Sequence, residues 1–201
     1  KKLYLPQPDE KTGIIPQFDG YFDLKEIDLS VYKNASVVGT VFHDYSGEDV
    51  QGMQAGKQAD IVELLYQMED ITTPDNKAKN YVYYEARTLH DSSLSKAIHS
   101  ITACDLGMEK EAYDMFMSAA LTDLGQEMKS SDAGIHSANM GGVWQDVVMG
   151  FGGIRIRDGH LRIAPNCPKQ WEKFTYPLYW KGNELHITAV SYTHLTLPTI
   201  A

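Results

Sequence analysis

Cysteine is nearly absent from this chain: its 201 residues include two, Cys104 and Cys167. They form no Cys-x-x-Cys pair and no His–Cys group at ligand spacing, which excludes a thiolate metal site or a dithiol redox pair, and no metal is expected. Two unclustered thiols suit a reducing cytoplasm, each as a buried apolar side chain rather than half of a disulfide. No run of about 18 apolar residues occurs, so nothing reads as a membrane-spanning helix and no membrane partner is expected. The opening Lys1-Lys2-Leu3-Tyr4-Leu5-Pro6 turns polar too soon for a signal peptide. Basic residues are short as well, 18 against 27 acidic, for a net charge of −9. Without a basic cluster, nucleic acid is a poor partner. The deficit lies in residues 1–133, with 23 acidic and 12 basic side chains; residues 134–201 carry 4 and 6. An anionic substrate would need a local set of donors working against the overall field. No repeat at a solenoid period is present.

What is present suffices for one core with an appendage. Residues 1–56 are irregular, punctuated by Gly13, Pro16, Gly20, Gly39, Gly47 and Gly52, with one modest helical segment near Leu24–Tyr32. A compact domain seldom opens on so much loop, so the true start is expected upstream. From Lys57 to Met149 the apolar period is helical. Lys57-Gln58-Ala59-Asp60 opens one helix, with Ile61, Val62, Leu64, Leu65 and Met68 on its inner face. Thr73 caps the next, Pro74 takes its first position, and it runs to about Glu85. Ser92 or Ser93 caps a third, ended by Gly107. Glu109–Leu124 and Ser137–Met149 complete five helices, with Leu121 and Leu124 among the residues expected inward. At Gly153 the period changes to two. Asp158-Gly159 and Lys181-Gly182 each mark a hairpin, Ile154–Arg157 with Leu161–Ile163 and Lys173–Trp180 with Glu184–Thr188. The fold expected is mainly α, followed by the start of a small antiparallel β-domain too short to hold a core by itself. The domains divide as residues 1–153, 154–189 and a tail, 190–201. Val190-Ser191-Tyr192-Thr193-His194-Leu195 is what a common transposase sequencing adapter encodes in one frame. The tail therefore reads as non-native and carries no functional argument.

Four motifs carry candidate chemistry. In His90-Asp91-Ser92-Ser93-Leu94-Ser95, two serines at a helix start put hydroxyls and unpaired amides at the positive end of the dipole, an anion site with His90 as a further donor. Taken alone, the motif reads better as simple capping, with Asp91 or Ser92 serving the backbone. Lys57 in a first helical turn opposes the dipole, so its charge has a use or it is a solvated side chain; Lys57 and Gln58 can both donate to sugar hydroxyls. Gly134-Ile135-His136 and Gly141-Gly142-Val143-Trp144 combine a loop histidine able to meet an anion with glycines that admit a close neighbour. Gly150-Phe151-Gly152-Gly153 reads best as a helix end and turn. No carboxylate pair stands out for glycoside chemistry, and Glu85 and Asp91 have no obvious partner.

In this order, the motifs resemble glycoside hydrolase family 65. The resemblance covers about Gly13 to Thr188 and includes Gln17-Phe18-Asp19-Gly20-Tyr21-Phe22, Lys57-Gln58-Ala59-Asp60, Tyr84-Glu85-Ala86-Arg87-Thr88-Leu89-His90-Asp91-Ser92-Ser93-Leu94-Ser95, Gly134-Ile135-His136 and Gly141-Gly142-Val143-Trp144. It implies the C-terminal part of an (α/α)6 catalytic barrel followed by a small C-terminal β-domain. It further implies inverting phosphorolysis of an α-linked glucose disaccharide of the maltose, kojibiose, nigerose or trehalose type, giving β-glucose 1-phosphate and a free sugar. Lys57 and Gln58 match the family's glucose-subsite residues, and Ser92, Ser93 and His136 its phosphate site, with His90 beside them. The catalytic acid is a glutamate expected upstream of this chain, which would leave the fragment inactive alone. Phosphate is the nucleophile and a substrate, so no cofactor and no base carboxylate is implied. The partners are disaccharide and inorganic phosphate, in a cytoplasmic enzyme that is a homodimer when full length. A hydrolase of the same family, trehalase-like, and a non-catalytic helical carbohydrate-binding module are the alternatives.

Overall fold

The computed structural model describes residues 5–33, 38–124 and 134–191. The elements before the first long helix are short: α1 (Ser30–Lys33), α2 (Gly47–Gln51) and α3 (Ile61–Gln67). They are followed by α4 (Pro74–Ala86), α5 (Ser95–Asp105), α6 (Glu109–Ala120) and α7 (Ser137–Gln145). The last continues as a π-helical turn over Asp146–Phe151. The strands are β1 (Ile154–Arg157), β2 (His160–Ile163), β3 (Lys173–Trp180) and β4 (Asn183–Val190), paired as two antiparallel hairpins. No helix among the described residues is long and apolar enough to cross a membrane.

Helix α4 starts as its sequence dictates: Thr73 accepts from the Asn76 amide and Pro74 takes a position where no N–H is needed. Its inner face then orders the irregular N-terminal segment. Asn80 accepts from Ile15 N at 2.8 Å and donates to Gly13 O at 2.9 Å, and the Tyr84 hydroxyl donates to Ile15 O. These side-chain bonds leave no periodic trace. Helix α5 is the central element, buried along its length from Ala97 to Cys104. Thr102 donates to Ile98 O, and the Ser100 hydroxyl lies within hydrogen-bond distance of Ala112 O at 2.8 Å and Asp146 Oδ1 at 2.9 Å. Val62, Leu65, Tyr81, Ile101, Ala103 and Phe151 form the heart of the helical core. Cys104 is buried and burial pushes its thiol up, whereas Cys167 is half-buried.

The strands do not carry a core of their own. Ile154, Tyr176 and Ile187 pack with Val148 from the end of the helical part. Phe116, Phe151, Trp171 and Phe174 meet edge-on in series, and Phe174 stacks on Tyr176, so the aromatic contacts run from one part to the other. A buried charge cluster fastens β1. The Arg155 guanidinium donates twice to Asp105, both at 2.8 Å, and to Glu69 at 2.9 Å, while Lys77 holds Asp105 at 2.7 Å. The Gly-Phe-Gly-Gly motif belongs to this junction. A Cβ on Gly152 would lie 2.6 Å from the Tyr176 hydroxyl, and one on Gly153 would lie 1.8 Å from Ala164 O. The Gly152 and Gly153 amides donate to Val147 O and Gly150 O, so close packing, not anion binding, explains the motif.

Several expectations need correction. The segment Leu24–Leu29 is not helical; only Ser30–Lys33 is. Lys57-Gln58-Ala59-Asp60 precede the helix, which begins at Ile61. Ser92 and Ser93 do not cap α5: it begins at Ser95 behind Leu94, whose side chain caps nothing, because Ser95 is tied back to Ser92 by a turn bond. Leu121 and Leu124 are exposed, since α6 ends at Ala120. Val190 closes β4 opposite Lys173, and residues 192–201 of the supposed tail lie outside the described residues.

Candidate functional site

A short parallel bridge brings the first two motifs together. Gly56 N donates to Arg87 O at 2.7 Å, and Leu89 N donates to Gly56 O at 2.8 Å. The chain before Lys57 therefore runs beside the chain before His90. A cavity of about 260 Å³ opens there, lined by Phe42, Val50, Gln51, Ala55, Lys57, Leu89 and Asp91. Lys57 and Asp91 give it one positive and one negative side chain over an apolar wall. Gln58 is exposed and is not among the lining residues. Ser92 and Ser93 follow Asp91 directly and are half-buried, with Ser92 Oγ accepting from Leu94 N at 3.3 Å.

Beneath that turn lies a network centred on Glu85. Lys33 donates to Glu85 Oε1 at 2.5 Å, and His90 Nε2 lies 3.0 Å from Oε2. The carboxylate only accepts, so His90 Nε2 donates to it, while Nδ1 pairs with Ser95 Oγ at 2.8 Å. His99 donates from Nδ1 to Ser95 O at 3.0 Å; its Nε2 lies 3.3 Å from Glu85 Oε2 without a hydrogen bond. Burial by itself would raise the Glu85 carboxyl, but the His90 hydrogen bond and the charges of His90, His99 and Lys33 outweigh it and hold the pKa down to about 2. Burial pushes His99 down to about 4. The donor His90, offered to phosphate by the sequence, thus has both ring nitrogens turned inward. The partners of Glu85 were missed: Lys33 lies 52 residues away, and no local pattern pairs them.

Glu85, His90 and His99 also present ligand atoms within 4.8 Å of one another, as a metal site would. The Lys33 ammonium already balances the carboxylate, and a divalent ion would leave a buried net positive charge. The donor set fits an internal ion pair better than a metal.

His136 is placed by separate contacts. Asp123 accepts from its backbone N at 2.8 Å and from Nδ1 at 2.6 Å. Those hydrogen bonds hold the Asp123 carboxyl below its usual range. Because Nδ1 is committed, Nε2 is the nitrogen left for a ligand. Behind it, α7 packs closely on α5, with the Cβ position of Gly142 only 3.2 Å from Ala97 Cβ, and Asn139 donates to Ala119 O on α6.

Residues 1–145 match the glycosyl hydrolase family 65 central catalytic domain, and residues 154–198 match the C-terminal domain of the same family. The chain belongs to glycosyl hydrolase family 65. It is 45% identical over 187 residues to the kojibiose phosphorylase of Halothermothrix orenii, covering 92% of this chain and 24% of that protein. It is 40% identical over 190 residues to that of Escherichia coli, covering 94% and 25%. The α,α-trehalose phosphorylase of Thermoanaerobacter brockii is 35% identical over 185 residues, covering 92% and 24%. The chain spans about a quarter of the length of the curated relatives it matches. Among solved structures, a candidate kojibiose phosphorylase from human microbiome superposes with a TM-score of 0.83 at 29% identity, covering 94% of this chain and 27% of that one. Within the family, the helical part is a portion of an (α/α)6 barrel and the hairpins belong to the β-domain that follows it.

Proposed function

We propose that this chain is part of a disaccharide phosphorylase, which cleaves an α-linked glucose disaccharide with inorganic phosphate and inverts the anomeric carbon. The products are β-glucose 1-phosphate and a free sugar. Residues 1–153 contribute the C-terminal portion of the catalytic barrel and residues 154–189 the start of the β-domain. Lys57 and Gln58 donate to glucose hydroxyls, while Ser92, Ser93 and His136 bind phosphate. The observation that carries this reading is the bridge between Gly56 and Thr88, which sets Lys57 and Asp91 around one cavity and leaves Ser92 and Ser93 next to it. His136, held through Nδ1 by Asp123, presents the other nitrogen. With phosphate as nucleophile, no cofactor and no second carboxylate is required, and the acid that protonates the leaving oxygen is a glutamate elsewhere in the complete enzyme. Kojibiose is the first substrate to try, given the names of the relatives that match at 45% and 40% identity. The complete enzyme is a cytoplasmic homodimer.

Replacing Ser92 and Ser93 together by Ala in the complete enzyme tests the phosphate site. Loss of two hydrogen bonds to a dianion should raise the phosphate KM by about tenfold or more, with the disaccharide KM little changed. An unchanged phosphate KM would remove the assigned role.

A further inference from the structure

Glu85 gathers Lys33, His90 and His99 around one carboxylate, yet it is not among the residues that line the cavity. Its partners share a destination. His90 adopts a left-handed backbone, φ 57, which is uncommon for any residue but glycine. That conformation turns the chain out of the bridge at Thr88 and into Asp91-Ser92-Ser93. The His90 ring then spans Glu85 Oε2 and Ser95 Oγ, and His99 donates to Ser95 O. Ser95 is joined back to Ser92 through its amide and through its hydroxyl, both at 3.3 Å. The network therefore fixes both ends of the Ser92–Ser95 turn and leaves the two serine side chains outside it.

We infer that Glu85 and His90 are positioning residues for phosphate: they hold the Ser92–Ser93 turn in the geometry that binds it, without touching it themselves. The inference rests on the phosphate role proposed for Ser92 and Ser93. Preorganised donors lose little freedom when the anion arrives, so loosening the turn should weaken phosphate binding before it affects the sugar. Lys33 and His99 complete the set, the first by holding Glu85 Oε1 and the second by fixing the Ser95 carbonyl.

The test is steady-state kinetics of the complete enzyme with phosphate and disaccharide varied separately, on Glu85→Gln, Glu85→Ala, His90→Asn and the Ser92→Ala/Ser93→Ala double variant. Asn tolerates the left-handed backbone, so His90→Asn removes the ring contacts and spares the turn of the chain. Glu85→Ala and His90→Asn should each raise the phosphate KM by about tenfold, with disaccharide KM and kcat at saturating phosphate within about twofold of the parent. Glu85→Gln, which keeps an acceptor for His90, should show a smaller rise. A residue that only supported the fold would lower kcat or disturb both KM values together. If Glu85→Ala fails to fold, His90→Asn and Glu85→Gln decide. A raised phosphate KM in the serine variant with unchanged values in the others overturns the inference. An unchanged phosphate KM in the serine variant overturns the phosphate site itself.

Discussion

The imidazole of His99 is fully buried, and burial, helped by the positive charge at His90 and opposed by Glu85, holds its pKa at about 4 against an ordinary 6.5. As pH falls from neutrality, the unfolded chain takes up this proton first and the folded one resists. The stability tied to His99 is therefore fully present above pH 6.5 and is lost as pH falls towards 4, a difference of about 3 kcal/mol. Glu85 adds a second loss at lower pH, because its pKa of about 2 lies below the ordinary 4.5. Urea unfolding of the chain at pH 7 and at pH 5 should show a marked fall in stability on acidification, and His99→Gln should show a clearly smaller one. Equal falls would contradict a neutral His99. None of this was legible locally. The sequence marks His90 as a donor beside two serines, but its partners come from α1, α4 and α5, and only the fold assembles them.

At the level of elements, the junction between the helical part and β1 depends on Gly153, with φ 62 and Ala164 O in the space a side chain would fill. Gly159 has a similar φ, 72, in the β1–β2 turn, but open space around it. Gly159→Ala should therefore cost only the backbone strain, about 1–2 kcal/mol, while Gly153→Ala adds a steric clash and should cost about 3 kcal/mol or more. Thermal unfolding of the two variants checks the order; similar Tm values would mean that Ala164 yields easily. Elements governed by local chemistry were readable in advance. Asp158-Gly159 and Lys181-Gly182 specify their hairpins through positive φ at both turn positions, and Thr73-Pro74 specifies the start of α4. Elements governed by distant partners were not. Lys57 directly follows the bridge between Gly56 and Thr88 rather than sitting in a first helical turn, and Ser92 serves a turn rather than a cap. The pairing of positions 56 and 88 is what turns two separate motifs into one site, and nothing in the spacing of either announces it.

On the scale of the whole molecule, large apolar side chains stand in solvent around α7 and the end of α6: Leu124 is 83% exposed, Ile135 72% and Trp144 61%. Such surface favours association, although the net charge of −9 opposes it. Light scattering behind size exclusion should give a mass above the 22.5 kDa of one chain, rising with concentration; a sharp monomer at every concentration would contradict this. The two family matches cover residues 1–145 and 154–198, and the chain spans about a quarter of the length of each relative. We propose that these residues contribute the phosphate side of a phosphorylase. The most direct measurement follows glucose 1-phosphate and glucose released from kojibiose by the complete enzyme, with and without inorganic phosphate. Glucose 1-phosphate is expected in step with added phosphate, with negligible cleavage without it. Glucose release that does not depend on phosphate would make the enzyme a hydrolase and contradict the claim.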